Sequence, residues 1–363
     1  MFFAAPLVCV YLALDRSSFL QRIVSFTTSV AAFPSRQSSL KDEIGTVVKL
    51  PVESCTGGSY CVRIRVAGSK GTTRVYRAAV DTGSPYLVLS GDRDILYEGK
   101  HPFQLSDSPF PPTEEIYGSG SGFLDWKQAT VSFRSVPRLS SHGETILAMM
   151  DDQLEVEAGG TLLGLVKHPN PPRQKEFYRP TWLQQLYFQD GSDVRSFSID
   201  RESLTLANGS LLSRKVPRIP LVDLRPLGGF IEHYCFTVKE LILDGVRVMS
   251  SKLGGRPIVA VLDTGLTGCL VNQAFWDVLT EELDIDPRKI RLATVRADDP
   301  VQRQVVEFVS GRGFNNMFYV APIYLDWFFD EQNAPYVLVL GQTFLSQGKL
   351  TVDIEARLAT FEL

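Results

Sequence analysis

Asp81-Thr82-Gly83 and Asp263-Thr264-Gly265 are one triplet met twice, almost half a chain apart. A largely apolar run leads into each: Arg77-Ala78-Ala79-Val80 into the first, Ile258-Val259-Ala260-Val261-Leu262 into the second. An aspartate at the end of a buried strand, followed by Thr and Gly in a tight turn, is a costly arrangement. A lone desolvated carboxylate is strongly unfavourable unless a partner shares its charge or proton. From ordinary residue frequencies the triplet arises roughly once in several thousand positions. Two copies in 363 residues, both after apolar strands, therefore argue for one paired site rather than two unrelated turns. The separation leaves room for a compact lobe around each triplet.

The rest of the chain narrows the function by exclusion. Its length allows two or three domains with large cores. Net charge is −4 and no Lys/Arg run stands out, so the concentrated basic face that phosphate binding needs is missing and no nucleic-acid partner is expected. Histidine is scarce and no Cys/His spacing resembles a zinc site, so neither metal nor cofactor is expected.

The apolar stretch Phe2 to Leu14 is too short to span a bilayer. A second, Ile23 to Phe33, ends in Ser29-Val30-Ala31-Ala32, a small-residue pattern suited to signal cleavage. Residues 1–31 are therefore read as a signal or targeting segment. The expected compartment is the secretory pathway, secreted or vacuolar/lysosomal. The alternative is a plastid with extra membranes, since Phe33 follows the cleavage pattern and Ser and Arg follow that. No stable membrane span is expected after signal removal, and the chain is expected to be a monomer. Of five cysteines, Cys9 would leave with the signal. Cys55 and Cys61 flank Thr-Gly-Gly-Ser-Tyr and could close a small loop, whereas Cys235 and Cys269 either pair or remain buried thiols. Asn208-Gly209-Ser210 is a candidate glycosylation sequon, relevant if the chain is secreted.

From Tyr60 onward the texture is that of a mainly β protein. Cys61 to Val66 alternates with period two, a Gly68-Ser69-Lys70-Gly71 turn follows, and Thr73 to Tyr76 and Tyr86 to Leu89 read as strands. The stretch Pro102 to Pro112 is a loop, Gly118–Gly122 a Gly/Ser hairpin and Ala129–Phe133 a strand. Helical signals are few: Thr181–Phe188, and Asn272–Leu283 with Asn272 as N-cap. Residues 213–220 look like the crossing between an N-terminal β lobe (45–212) and a C-terminal β lobe (213–363). Strands at 234–238, 240–243 and 246–249 precede the second triplet, and a hairpin closes the chain from Leu350 to Leu363. Each half also carries an apolar-apolar-Gly tripeptide well after its triplet: Leu162-Leu163-Gly164 and Val339-Leu340-Gly341. Such tripeptides are weak signals alone, but one per half at the same relative place supports an internal duplication.

Taken together, from about Tyr60 to Leu363 the chain resembles the pepsin-like (A1) aspartic proteases. The resemblance implies a bilobal pepsin-like acid protease fold, mainly β, with pseudo-two-fold related lobes and one Asp-Thr-Gly loop from each lobe meeting at the floor of a cleft. Asp81 and Asp263 would be the catalytic pair. Tyr117-Gly118-Ser119-Gly120-Ser121-Gly122 looks like the flap hairpin, with Tyr117, Gly118 and Ser119 covering a bound peptide and Gly83 and Gly265 leaving space for its backbone. Thr82 and Thr264 would tie the two loops together beneath the pair, and Ser84 and Thr267 would support the carboxylates. The implied substrate is a polypeptide lying extended between the lobes.

The chemistry suits the motif. Two carboxylates about 3 Å apart hold one proton between them, with apparent pKa values that belong to the pair. The ionised member takes a proton from a water attacking the peptide carbonyl, and the protonated member donates to the carbonyl oxygen. Leu266 stands where the family usually has a hydroxyl residue beside the second carboxylate, and losing that donor should raise the pair's pKa and move activity toward neutral pH. Val88 stands where many relatives have Trp, and Gln342 where an acidic residue is common. These departures motivate a rival reading: a catalytically inactive pepsin-fold protein acting as a peptide- or protein-binding module or inhibitor. A glycosidase has less support, because its carboxylates stand about 5 Å or more apart and do not come from duplicated Asp-Thr-Gly loops.

Overall fold

In the computed structural model, the strand Thr73–Asp81 carries the first aspartate as its last residue, and Ile258–Leu262 ends immediately before the second. The described residues are 45–55, 59–91, 94–99, 103–117, 120–133, 136, 139–141, 143–152, 160–167, 179–223, 233–243, 245–254, 256–286, 292–299, 304–309, 320–323 and 335–362. The expected signal segment lies outside them. Ile44–Leu363 form one compact unit, and the chain is mainly β, as its alternating texture predicts.

Among the described residues the strands form sheets of twelve, six, five and four. The largest uses only strands between Glu53 and Phe188, the five- and four-stranded sheets only strands between Cys235 and Leu340. One five-strand pattern occurs in each region. Tyr60–Ala67 runs antiparallel to Thr73–Asp81, which pairs parallel with Leu162–Gly164. That strand is antiparallel to Leu87–Leu89, which is parallel to Thr145–Met150. In the second region Cys235–Val238, Ile258–Leu262, Tyr336–Leu340, Cys269–Asn272 and Val320–Ile323 follow in the same order with the same sequence of directions. Each apolar-apolar-Gly tripeptide thus lies beside the strand that delivers its aspartate.

The six-stranded sheet joins distant parts of the chain. Val47–Pro51, Ser203–Ala207 and Ser196–Ile199 pair in turn, then Lys349–Asp353, Leu358–Glu362 and Ile219–Pro220. Packing explains the strand assignments. In Tyr60–Ala67, Val62, Ile64 and Val66 face the core while Arg63 and Arg65 face solvent; Ile258–Leu262 is buried on both faces and reads as a continuous apolar run. Full burial of such a side chain contributes about 1.5–3 kcal/mol.

One helical expectation is corrected, and the other holds in extent but not in helix type. Thr181–Phe188 makes a single 3-10 turn, Trp182–Gln185, and then a strand, Leu186–Phe188. The Thr181/Gln184 capping box starts the turn, but Leu186-Tyr187-Phe188 gains more by pairing with Leu139–Ser141. Asn272–Leu283 is α-helical only over Gln273–Asp277 and widens to a π turn over Val278–Glu282. Asn272 sits at the N-cap, yet its amide bonds sideways: Nδ2 donates to the Pro335 carbonyl (3.1 Å) and Oδ1 accepts from the Val337 N–H (2.9 Å). It fastens the strand beneath the second loop rather than capping the helix.

Cys55 and Cys61 form a disulfide, while Cys235 and Cys269 are buried free thiols. Asn208 is engaged already: its Nδ2 donates to Ser192 Oγ at 2.7 Å, so a glycan there would have to displace this bond. No helix among the described residues is long and apolar enough to cross a membrane.

Candidate active site

The strand ends bring the two triplets face to face. Thr82 and Thr264 are fully buried and exchange a reciprocal set of hydrogen bonds. The Thr82 N–H donates to Thr264 Oγ1 (3.1 Å), and that hydroxyl donates to the Val80 carbonyl (2.7 Å). In mirror fashion the Thr264 N–H donates to Thr82 Oγ1 (2.9 Å), which donates to the Leu262 carbonyl (2.8 Å). These bonds satisfy backbone groups that the strand ends would otherwise leave orphaned and buried.

Asp81 and Asp263 lie above this lock, each carboxyl set against the glycine of the other's loop. Asp81 is buried, and Asp263 is more open. Each also accepts from the turn that follows it. The Gly83 N–H reaches Asp81 Oδ1 at 2.7 Å and the Ser84 N–H assists. The Gly265 and Leu266 N–H groups reach Asp263 Oδ1 at 2.9 and 3.2 Å. Burial pushes the Asp81 carboxyl well above the usual range, and the Asp263 charge adds to the shift. Burial also raises Asp263, but the hydrogen bond from Asp81 opposes it. Both shifts are upward and the two groups interact, so the pair titrates as a unit.

The linkage follows from the direction of these shifts. A carboxyl whose folded pKa is raised binds its proton more tightly in the folded state, so its contribution to stability is complete below the unfolded value and is lost as pH rises through the folded pKa. Asp263→Asn removes one member of the pair. Its stability relative to the wild type is expected to climb from about pH 4 upward, with a slope of about 1.4 kcal/mol per pH unit for each proton involved. Urea unfolding of both proteins across that range checks this; a constant difference would contradict the shared proton.

The glycines explain how the carboxylates come so close. A Cβ on Gly83 would stand 2.6 Å from the Asp263 carboxyl, and one on Gly265 would stand 2.5 Å from that of Asp81. Beneath, the residues after each apolar-apolar-Gly tripeptide hold the loops. Leu165 and Val166 N–H donate to the Asp81 and Ser84 carbonyls (2.7 and 3.0 Å); Gln342 and Thr343 N–H donate to those of Leu266 and Thr267 (2.6 and 2.9 Å). With its amide oriented to suit both neighbours, the Gln342 side chain donates to the Thr264 carbonyl (2.8 Å) and accepts from the Tyr60 N–H (3.1 Å). It bridges the two regions of the chain, a role that position in sequence did not suggest.

One expected support is corrected. Thr267 is exposed, and among the described residues its hydroxyl makes no bond to Asp263; its carbonyl instead receives Thr343. Ser84 assists Asp81 through its backbone N–H, while its hydroxyl stands 3.5 Å from Tyr117 Oη. Backbone N–H groups of Gly265 and Leu266 both reach Asp263 Oδ1, and no side-chain hydroxyl among the described residues reaches Asp263.

Tyr117 ends the strand Thr113–Tyr117, paired with the long strand Gly120–Ser132 in the register Tyr117↔Gly120. Gly118 and Ser119 lie outside the described residues. Tyr117 packs in an apolar cluster with Val88, Leu124, Trp126 and Met150, and burial pushes its phenol pKa up. Trp126 was missed by sequence reasoning, being one more aromatic on a strand. Its ring meets Tyr86 edge-on at 4.9 Å and its Nε1 donates to Thr113 Oγ1 at 2.9 Å. The Arg179 guanidinium lies over the same ring, 4.5 Å from its centroid, and 5.7 Å from that of Phe110. Stacking of this kind contributes up to about 2 kcal/mol when desolvated.

Among the described residues no group of three or more His, Cys, Asp or Glu is placed to hold a metal ion. No protein-family model and no curated protein matches the chain.

Proposed function

We propose that the protein is an aspartic endopeptidase of the pepsin-like fold, with lobes at 45–212 and 213–363 related by a pseudo-two-fold axis and Asp81 and Asp263 as the catalytic pair. The observation that carries this reading is the paired site itself. Two Asp-Thr-Gly turns are locked by reciprocal threonine bonds, and each carboxyl lies against the glycine of the opposite turn. The repeated five-strand pattern around each turn supports the duplication.

The chemistry follows from the proton inventory. With one proton on Asp81, the Asp263 carboxylate accepts a proton from a water that attacks the peptide carbonyl. Asp81 donates to the carbonyl oxygen as negative charge develops, and the tetrahedral intermediate collapses with proton transfer to the leaving nitrogen. Burial keeps the pair from ionising twice, so the mixed protonation state persists over a wide pH range. Tyr117 would cover the substrate and exclude water. The Cys55–Cys61 disulfide supports an oxidising compartment, in keeping with a signal at residues 1–31 and a secretory destination.

The test is digestion of denatured protein by the wild type and by Asp263→Asn, from acidic to neutral pH. Pepstatin-sensitive cleavage that the variant loses by at least about 1000-fold, within the range that removing a catalytic group costs, is the expected result. A folded wild type that cleaves nothing at any pH would leave the binding-module reading instead.

A further inference from the structure

We propose that Arg179 is a specificity-determining residue: its guanidinium receives the carboxylate of an aspartate or glutamate side chain of a bound peptide, at one fixed position beside the first Asp loop. This rests on the peptide-cleft reading above.

Arg179 is 8 % exposed, its Nε has no hydrogen-bond partner, and among the described residues no acceptor takes any of its N–H groups. A buried Nε–H of this cation is left without an acceptor among the described residues, which stacking on Trp126 and Phe110 offsets only in part. Two tethers hold this group close to the candidate site. On the backbone side, the Trp182 N–H donates to the carbonyl of Pro85, just past the first Asp loop, at 2.7 Å. The Thr181 N–H is fixed by Gln184 Oε1 at 2.8 Å. On the side-chain side, the guanidinium lies against Trp126, which shares a cluster with Tyr117 and is tied to the base of the Tyr117 strand through Thr113.

The charged group facing it is Glu115, two residues before Tyr117. Were Arg179 a fastener for this hairpin, the two would be hydrogen-bonded. Instead Glu115 Oε1 accepts from the Thr113 hydroxyl at 3.1 Å. Burial pushes the Glu115 carboxyl up, while the Thr113 hydrogen bond and the Arg179 charge oppose the shift without a hydrogen bond between Glu115 and Arg179 among the described residues. A planar guanidinium held flat on an indole keeps its edge free for the bidentate recognition of a carboxylate, which an ammonium does not provide.

The experiment uses the full-length chain and pairs of extended peptides with Glu or Gln walked one position at a time along an otherwise constant sequence. Binding is measured by calorimetry on Asp263→Asn and cleavage as kcat/KM on the wild type. At one position Glu is expected to exceed Gln by about ten-fold or more, the scale of one charge-assisted contact. That ratio should fall to within about two-fold in Arg179→Met, persist in part in Arg179→Lys, and survive in Glu115→Gln. It should also fade as pH drops below about 4.3, where the peptide carboxylate protonates. A merely structural Arg179 would lower both members of a pair together and leave the ratio unchanged, which overturns the proposal. Cleavage by the wild type with no acidic preference at any position also overturns it, while the endopeptidase reading stands. An Arg179-dependent Glu preference in binding, without cleavage by the wild type, sustains the proposal and removes the endopeptidase reading.

Discussion

Gly265→Ala is expected to lower kcat/KM by about 100-fold or more while the protein still folds, since displacing a reacting group by about 1 Å costs that much. The added methyl would lie 2.5 Å from the Asp81 carboxyl, closer than real Cβ contacts allow. Asp81 has little freedom to withdraw, because Gly83 N–H holds one oxygen and the strand end Val80–Asp81 is buried. Relief must come from parting the two carboxyls, which breaks the proton sharing. Gly83→Ala should behave alike, its Cβ facing the Asp263 carboxyl at 2.6 Å. Gly268→Ala is the control, since a Cβ there meets nothing within 4 Å. Steady-state kinetics on the three variants decide the matter: equal losses in all three would show that the close approach is not what matters.

The second large effect is on stability. Thr264→Val is isosteric but removes the hydroxyl that accepts from Thr82 N–H and donates to the Val80 carbonyl. Two buried backbone groups lose their partners, each worth about 1–3 kcal/mol. A loss of about 3 kcal/mol is therefore expected by urea unfolding. Thr264→Ser keeps the hydroxyl and should lose less than about 1 kcal/mol beyond its missing methyl. Thr82→Val should resemble Thr264→Val, and the double variant should fall short of the sum because the four bonds form one network. A valine variant as stable as the wild type would mean that the reciprocal bonds contribute no net stability.

The strand ends were legible because their physical oddity is local. An apolar run ending in Asp-Thr-Gly announces a buried carboxylate, and its second copy announces the partner. The apolar-apolar-Gly tripeptides were legible for the same reason, as short strands that must stop at a turn. What stayed hidden depended on partners far away in sequence. Asn272 has every mark of a helix cap, yet Val337 and Pro335 take its amide. Leu266 brings no hydroxyl to Asp263, as its side chain dictates, but sequence reasoning that counts side chains overlooks its backbone N–H, which joins Gly265 on Oδ1. Arg179 stands before Pro180 in what reads as an ordinary loop, and nothing local reveals that Trp126 lies under its guanidinium.

The order in which the chain is made gives the paired site a timetable. The Thr82–Thr264 bonds span 182 residues. The strand that completes the second loop, Tyr336–Leu340, and the Gln342 bridge to Tyr60 are synthesised later than either triplet. During synthesis Asp81 waits as a solitary carboxyl, on a half with neither its lock nor its proton partner. Contacts this distant in sequence also form slowly. The Thr82–Thr264 lock therefore closes only after residues 182 positions later have been made, and until then the first half carries its aspartate without the second.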